Sequence, residues 1–333
     1  MKKIRTASPA SSTRLARAFA MLGLGSLLLL GFQLASAQEY PTKPIMVIVA
    51  FSAGGGTDVV ARAVADRAAQ KLKQPVVIEN RPGANGMIAA DYVARSPKDG
   101  YTLLFTINSH VLSTLLYRKP TYKLEDFTPI SAVVNNYLVM FYTPSTLGDG
   151  TAKDVVANMR KRQVSYASYG VGSLAHLYGE QLARAGGFNL LHVAYKGETE
   201  AVSGVISGDV DSAFLGPQSS ARFPDGKTKM LAVAAPQRLS SLPDVPTFGE
   251  LGVASLDRGT FLGLLAPAGT PQPAIQAWES AVKEVLKDPE FLRRMQTLYM
   301  EPVGSTSAEF AKIIQDDLKF WGPLVKSLDI KLD

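Results

Sequence analysis

The chain has 333 residues, 46% of them hydrophobic, with 35 Lys and Arg against 29 Asp and Glu and no cysteine. That length can bury a sizeable core without covalent staples and leaves room for two lobes, while the missing thiols exclude disulfides, thiolate catalysis and cysteine ligation of a metal. The net charge of +6 does not argue for nucleic acid: five basic residues fall in the first 17 positions, and the remainder of the chain is close to neutral, with no basic stripe.

Those five, Lys2, Lys3, Arg5, Arg14 and Arg17, precede an apolar stretch from Ala18 to Leu34 that closes on Ala35-Ser36-Ala37. The order is that of a secretory signal peptide. The stretch is short for a membrane span and is interrupted by Gly23, Gly25 and Gly31. No Cys follows the cleavage signal and no Arg pair precedes it, which points to the general export route without a lipid anchor. Residues 1–37 are therefore expected to be removed on export to the periplasm.

Beyond the leader, strands and helices alternate, which predicts an α/β architecture with mostly parallel sheet. Ile45 to Phe51 is a continuous apolar run, as in a strand covered on both faces. After a turn at Ser52–Gly56, Val60, Val64, Ala68 and Leu72 repeat at helical spacing until Pro75. Val76–Ile78 and Tyr101–Phe105 read as the next strands, with a long turn at Asn80–Gly86 between them. A second series starts beyond Pro144. A strand near Gln163–Ala167 leads through Ser168–Ser173 into a helix with Leu174, Leu177, Tyr178 and Leu182 on one face, stopped by Gly186-Gly187. Further strands are expected at Leu190–Tyr195, Asp211–Leu215, Lys229–Ala234 and Phe261–Ala266. The C-terminal part is helical, with Ile275, Trp278, Val282, Val285 and Leu286 in one core-facing stripe and Phe310, Ile313, Ile314 and Leu318 in another.

The unit of strand, glycine-rich turn and helix thus occurs twice, near residues 50 and 168. A helix start offers unpaired N–H groups and the positive end of a dipole, so it suits an anion. Ala53-Gly54-Gly55-Gly56-Thr57-Asp58 has that form but fits neither a P-loop nor a dinucleotide fingerprint. Asp58 either sits favourably in the first helical turn or orients the loop amides and bridging water. Gly170-Val171-Gly172-Ser173-Leu174-Ala175 matches G-x-G-x-x-A, with Glu198 further on, so a nicotinamide-dependent oxidoreductase is the enzymatic alternative. The export signal favours a second anion cradle instead, with Ser168 and Ser173 as hydroxyl donors. No nucleophile elbow surrounds any Ser. His110, His176 and His192 are too scattered for a metal site, and His176 with Glu180 supplies only two ligands. No cofactor or metal is expected.

The chain resembles the Bug family of solute receptors, the binding components of tripartite tricarboxylate transporters. The resemblance runs from Tyr40-Pro41-Thr42-Lys43-Pro44-Ile45 to the C-terminal helices. It is carried by Ala53-Gly54-Gly55 with Asp58 and Ala61-Arg62, Glu79-Asn80-Arg81-Pro82-Gly83-Ala84, Asp99-Gly100-Tyr101-Thr102-Leu103-Leu104, Gly172-Ser173 with His176, and Tyr195-Lys196-Gly197. Leu231-Ala232-Val233, Pro243-Asp244-Val245-Pro246-Thr247 and Ala266-Pro267-Ala268-Gly269-Thr270-Pro271 complete it. It implies a type II periplasmic-binding-protein fold of two α/β lobes. Lobe one would comprise residues 38–138 plus 260–333 and lobe two residues 139–259, with a hinge of two crossover strands near Tyr137–Thr143 and Arg258–Leu264. It also implies a monomer that holds a small carboxylate (a dicarboxylate, amino acid or aromatic acid) and delivers it to membrane permease subunits, or else serves as the sensing accessory of a sensor kinase. Ser52, Ala53, Gly54, Gly55, Thr57 and Asp58 would lie on one side of the cleft, and Ser168, Gly172, Ser173 and His176 on the other. Asn108 and Ser109, at the end of the third strand, are further cleft candidates. The chain departs from the family pattern at Ala50 and Ala194, where Pro is usual, and at Asn85, where Gly is common and an amide would be added near the ligand.

Overall fold

The continuous apolar run near residue 45 becomes strand β1 (Ile45–Val49), covered on both sides in a computed structural model that describes residues 40–253, 256–328 and 330–333. The proposed leader lies outside the described residues. Pro41–Asp333 form one compact unit. From β1 the chain enters helix α1 (Gly56–Leu72), then β2 (Val76–Asn80), α2 (Met87–Ala94), β3 (Thr102–Ile107), α3 (Ser109–Leu116) and β4 (Phe127–Asn136). It then builds β5 (Val139–Tyr142), the short α4 (Pro144–Leu147), α5 (Ala152–Met159), β6 (Val164–Ser168), α6 (Leu174–Gly186), β7 (Leu190–Ala194), α7 (Glu198–Ser207), β8 (Ser212–Leu215) and β9 (Lys229–Val233). It returns through β10 (Thr260–Pro267), α8 (Gln272–Val285), α9 (Pro289–Thr297), β11 (Glu301–Pro302) and α10 (Ser307–Leu328).

Two sheets result. One has the order β11-β4-β10-β3-β1-β2, the other β7-β6-β8-β5-β9. The β1–β2, β1–β3, β6–β7 and β6–β8 pairs are parallel. The sheets are nevertheless mixed rather than mostly parallel, because β4, β5 and β10 run against their neighbours. These are the strands that carry the chain between the sheets, and a chain that leaves one sheet directly into the next does not reverse through a crossover helix. β4 escaped the sequence pattern because Pro129, Asn135 and Asn136 interrupt its apolar run. The β4–β10 ladder absorbs the proline at a register shift between Leu264 and Leu265, the setting in which a strand tolerates the missing N–H donor.

Each sheet packs under its own helices, and α10 joins the two cores. Phe310 and Ile314 pack with Phe261, Leu104 and Val111 under the first sheet. Trp321, Leu324 and Val325, two to three turns further along the same helix, pack with Tyr178, Phe214 and Leu182 of the second. The two passages between sheets also touch. A Cβ added to Gly259 would lie 2.7 Å from Cε1 of Tyr137 and 2.9 Å from the carbonyl oxygen of Asn136, so only glycine permits that approach. Among the described residues no helix is long and apolar enough to cross a membrane.

Candidate ligand-binding site

The first glycine turn is held from below. Asp58, 2% exposed, accepts the Gly54 N–H at 2.9 Å and the Arg62 Nε–H at 3.0 Å through one carboxylate oxygen, and the Asn80 amide at 2.9 Å through the other. Asn80 also donates to the Phe51 carbonyl at 2.9 Å and receives Arg62 at 3.0 Å, which closes the network. Burial pushes the Asp58 carboxyl up, but these hydrogen bonds and the Arg62 charge more than offset it and hold it below its ordinary range. Its charge is thus spent inside the protein. Gly54 adopts φ +81°, which aims its amide at that carboxylate.

Above this support α1 begins without a side-chain cap, and the first backbone bond of the helix is from the Val59 N–H to the Gly55 carbonyl. The N–H groups of Gly56 and Thr57 are open donors of the first turn. Gly56 and Thr57 line a cavity of about 370 Å³ between the two sheets. Phe51, Asn85, Ile107 and Met300 share its first-sheet wall, Tyr169, Gly197, Glu198 and Gln218 form the opposite wall, and Asn136 and Thr260 of the crossover strands form its floor. No lysine, arginine or histidine lines it.

A smaller adjoining space of about 40 Å³ is lined by Asn85, Asn108, Ser109, Gly172, Ser173 and Tyr169, among others. Thr260 Oγ1 donates to Asn108 Oδ1 at 2.7 Å, while Asn108 Nδ2 and Ser109 Oγ are buried without a partner. They are polar groups left for water or a ligand.

The second glycine turn is spent differently. Ser173 caps α6 by accepting the His176 N–H, and His176 Nδ1 accepts the Gly172 N–H at 3.1 Å. His176 is buried and stacks on His192 with ring centroids 3.9 Å apart. His192 Nε2 lies 2.7 Å from Ser168 Oγ, and that hydroxyl also accepts the Gly170 N–H. Burial lowers both rings to about 4, His192 being lowered further by His176, so they are neutral near pH 7. With the Gly170 and Gly172 amides and the Ser168 hydroxyl taken by these neighbours, the G-x-G-x-x-A turn is not an open phosphate cradle.

Of the residues singled out from sequence, Thr57, Asn85, Asn108, Ser109, Gly172 and Ser173 meet at these two spaces. Ser52, Ala53, Gly54 and Gly55 form the exposed turn beside them, and Asp58, Ser168 and His176 lie behind the walls as supports. Lys196 is exposed and outside both linings. The sequence reading missed Tyr169, Gln218, Asn136 and Thr260 and noted Glu198 only as the acid beyond the G-x-G-x-x-A turn. The uncapped start of α7, at Gly197-Glu198, was the available signal for part of that wall. Among the described residues no group of three His, Cys, Asp or Glu is placed to hold a metal.

Two mixed sheets joined by crossover strands, with a cavity between them walled by uncapped helix starts, define a solute receptor that binds between lobes. The family profile described as tripartite tricarboxylate transporter family receptor matches residues 60–330. Protein BugT of Bordetella pertussis is 33% identical over 306 residues, 89% of this chain and 93% of its own. Among solved structures, periplasmic binding protein BugD is similar at 30% identity and TM-score 0.73, covering 88% of this chain and 100% of its own. Rpa4515 of R. palustris with adipate is similar at 28% identity and TM-score 0.77, with the same coverage. The chain belongs to the tripartite tricarboxylate transporter receptor family, the Bug receptors, as its motifs suggested. That placement supports the receptor reading and not the oxidoreductase.

Proposed function

We propose that this receptor, exported to the periplasm after loss of residues 1–37, captures a small carboxylate between its lobes and passes it as a monomer to membrane permease subunits, without chemistry on the ligand. The observation that carries this is the uncapped start of α1, with the Gly56 and Thr57 amides on a cavity of about 370 Å³ that holds no basic side chain. An anion in that cavity finds its donors in backbone N–H groups and the helix dipole. Each hydrogen bond to a charged group contributes about 1.5–3 kcal/mol, so three or four of them, less the cost of association, reach the roughly 8 kcal/mol of micromolar binding. Asn108 and Ser109 offer further contacts from the adjoining space. The adipate in the Rpa4515 structure is a carboxylate of the proposed class.

Closure requires the ligand to bind the closed arrangement better than the open one. Calorimetry on refolded, ligand-free protein against mono- and dicarboxylates and amino acids tests the reading. Heat from at least one carboxylate, with binding lost when Thr57 is replaced by Pro to remove an amide, is the expected result. Silence across the panel from a folded protein overturns it.

A further inference from the structure

The two sides of the cavity differ in the side chains they carry. On the first-sheet side it presents donors, the amides of Gly56 and Thr57, and the nearby carboxylate of Asp58 is already neutralised by Arg62. On the second-sheet side, beside the uncapped start of α7, the side chains it presents are acceptors. Glu198 is the only carboxylate in the lining, and among the described residues it makes no ion pair with Lys, Arg or His. Its one recorded hydrogen bond comes from the buried Ser219 hydroxyl to Oε1, which leaves Oε2 open. Beside it, Gln218 Oε1 and, on the floor, Asn136 Oδ1 are buried with no donor.

We infer that the natural ligand is amphoteric: besides the carboxylate received at the start of α1, it carries a protonated amine that docks on Glu198, beside the Gln218 and Asn136 amides. The inference rests on the receptor reading above. An acid in the first turn of α7 is favourable with the helix dipole wherever it points. The dipole does not account for two further unpaired acceptors around the same space. Rotating either amide by half a turn exchanges its acceptor for a donor, but the Glu198 carboxylate has no such alternative, so it fixes the sign of that wall. A nitrogen-free dicarboxylate spanning the cavity would set its second charge against Glu198, a like-charge contact that costs affinity. An ammonium there gains a charge-assisted bond.

The test compares full-chain protein, refolded free of ligand, and its Glu198→Gln variant by calorimetry. One set of probes carries an amine (alanine, aspartate, glutamate, γ-aminobutyrate, ε-aminocaproate), the other does not (acetate, succinate, glutarate, adipate). Glutamine retains an acceptor for Ser219, and thermal melting checks that the variant is folded. The expected result is that the best amine-bearing probe binds wild type at least about tenfold tighter than the best nitrogen-free one, and that the variant loses about tenfold of this ratio. A change in overall folding moves both sets together and leaves the ratio alone. A nitrogen-free acid binding as tightly as any amine, or a ratio untouched by the substitution, overturns the inference while the receptor reading stands. Silence from both sets in a folded protein overturns both.

Discussion

The amide of Gly54 and the carboxylate of Asp58 are bonded to each other at 2.9 Å, so the acid in the first glycine turn serves the turn itself. The turn is pinned from inside by one carboxylate that also draws in Arg62 and Asn80, the Gly55 amide is bonded to the Ser52 carbonyl, and the Gly56 and Thr57 amides face the cavity.

Asp58→Ala removes three hydrogen bonds from a group that is almost wholly buried and leaves the Asn80 amide with only the Phe51 carbonyl as acceptor. A loss of about 3 kcal/mol in folding stability is expected by urea denaturation near pH 7. The folded pKa of Asp58 lies below its ordinary value of 3.8, so this contribution is fully present above that value and is lost as pH falls through the lower, folded one. The gap between wild type and variant should narrow only in strong acid. A gap that stays constant down to about pH 2 contradicts the network as the cause.

Gly54→Val tests conformation without collision. A Cβ at that position meets nothing within 4 Å, yet φ is +81°. The left-handed backbone costs an L-residue about 1–2 kcal/mol, and a β-branched one more. Relaxation of the turn would carry the Gly54 N–H away from Asp58 and displace the Gly56 and Thr57 amides with it. Reduced stability of that order, together with weaker ligand binding by calorimetry, is expected. Gly54→Val with wild-type affinity would separate the turn from the site.

The elements that sequence revealed are those with one dominant physical cause. β1 and β3 are buried on both faces and read as apolar runs, and α1, α6 and α8 show their stripes because one face alone meets a sheet. β4 stayed hidden because its identity is tertiary: it leads from one sheet to the other, with polar residues and Pro129 tolerated at a register shift, whereas β5 was reached only through the family resemblance, as the crossover strand near Tyr137–Thr143. The site was legible where glycine betrays a turn, as at Thr57 and Asn85. It was illegible at Glu198, Gln218 and Asn136, which share a cavity only through the topology. Ser168 and His176 looked like ligand donors because local sequence does not disclose which acceptors a turn has already satisfied.

Gly259→Leu tests the crossing of the two passages. Its first added carbon alone would fall 2.7 Å from the Tyr137 ring and 2.9 Å from the Asn136 carbonyl. The strands must separate, at a cost of about 1–3 kcal/mol as in other overpacked sites. Asn136 and Thr260 form the cavity floor, so affinity should fall along with stability, the first by calorimetry and the second by denaturation. Loss of stability with unchanged affinity would show that the crossing does not shape the floor.

Asp317 of α10 lies 3.8 Å from Arg258 of the return passage, and burial raises its carboxyl from 3.8 to about 7, with Arg258 acting in the opposite direction. The folded state therefore holds a proton that the unfolded chain has released between those values, so the stabilisation is complete below about pH 4 and is lost as pH rises through 7. Asp317→Asn stays neutral throughout. Wild type should lose stability relative to the variant by up to about 4 kcal/mol between those limits, at 1.36 kcal/mol per pH unit. The histidines act the other way. His176 and His192 are lowered to about 4 and His110 to about 3, so the unfolded chain binds more protons as pH falls below their ordinary 6.5 and acid destabilises the fold. Both chains share those histidines, so the difference between parallel denaturation series isolates Asp317. A difference that does not change with pH would mean that Arg258 keeps this carboxylate charged across the whole range.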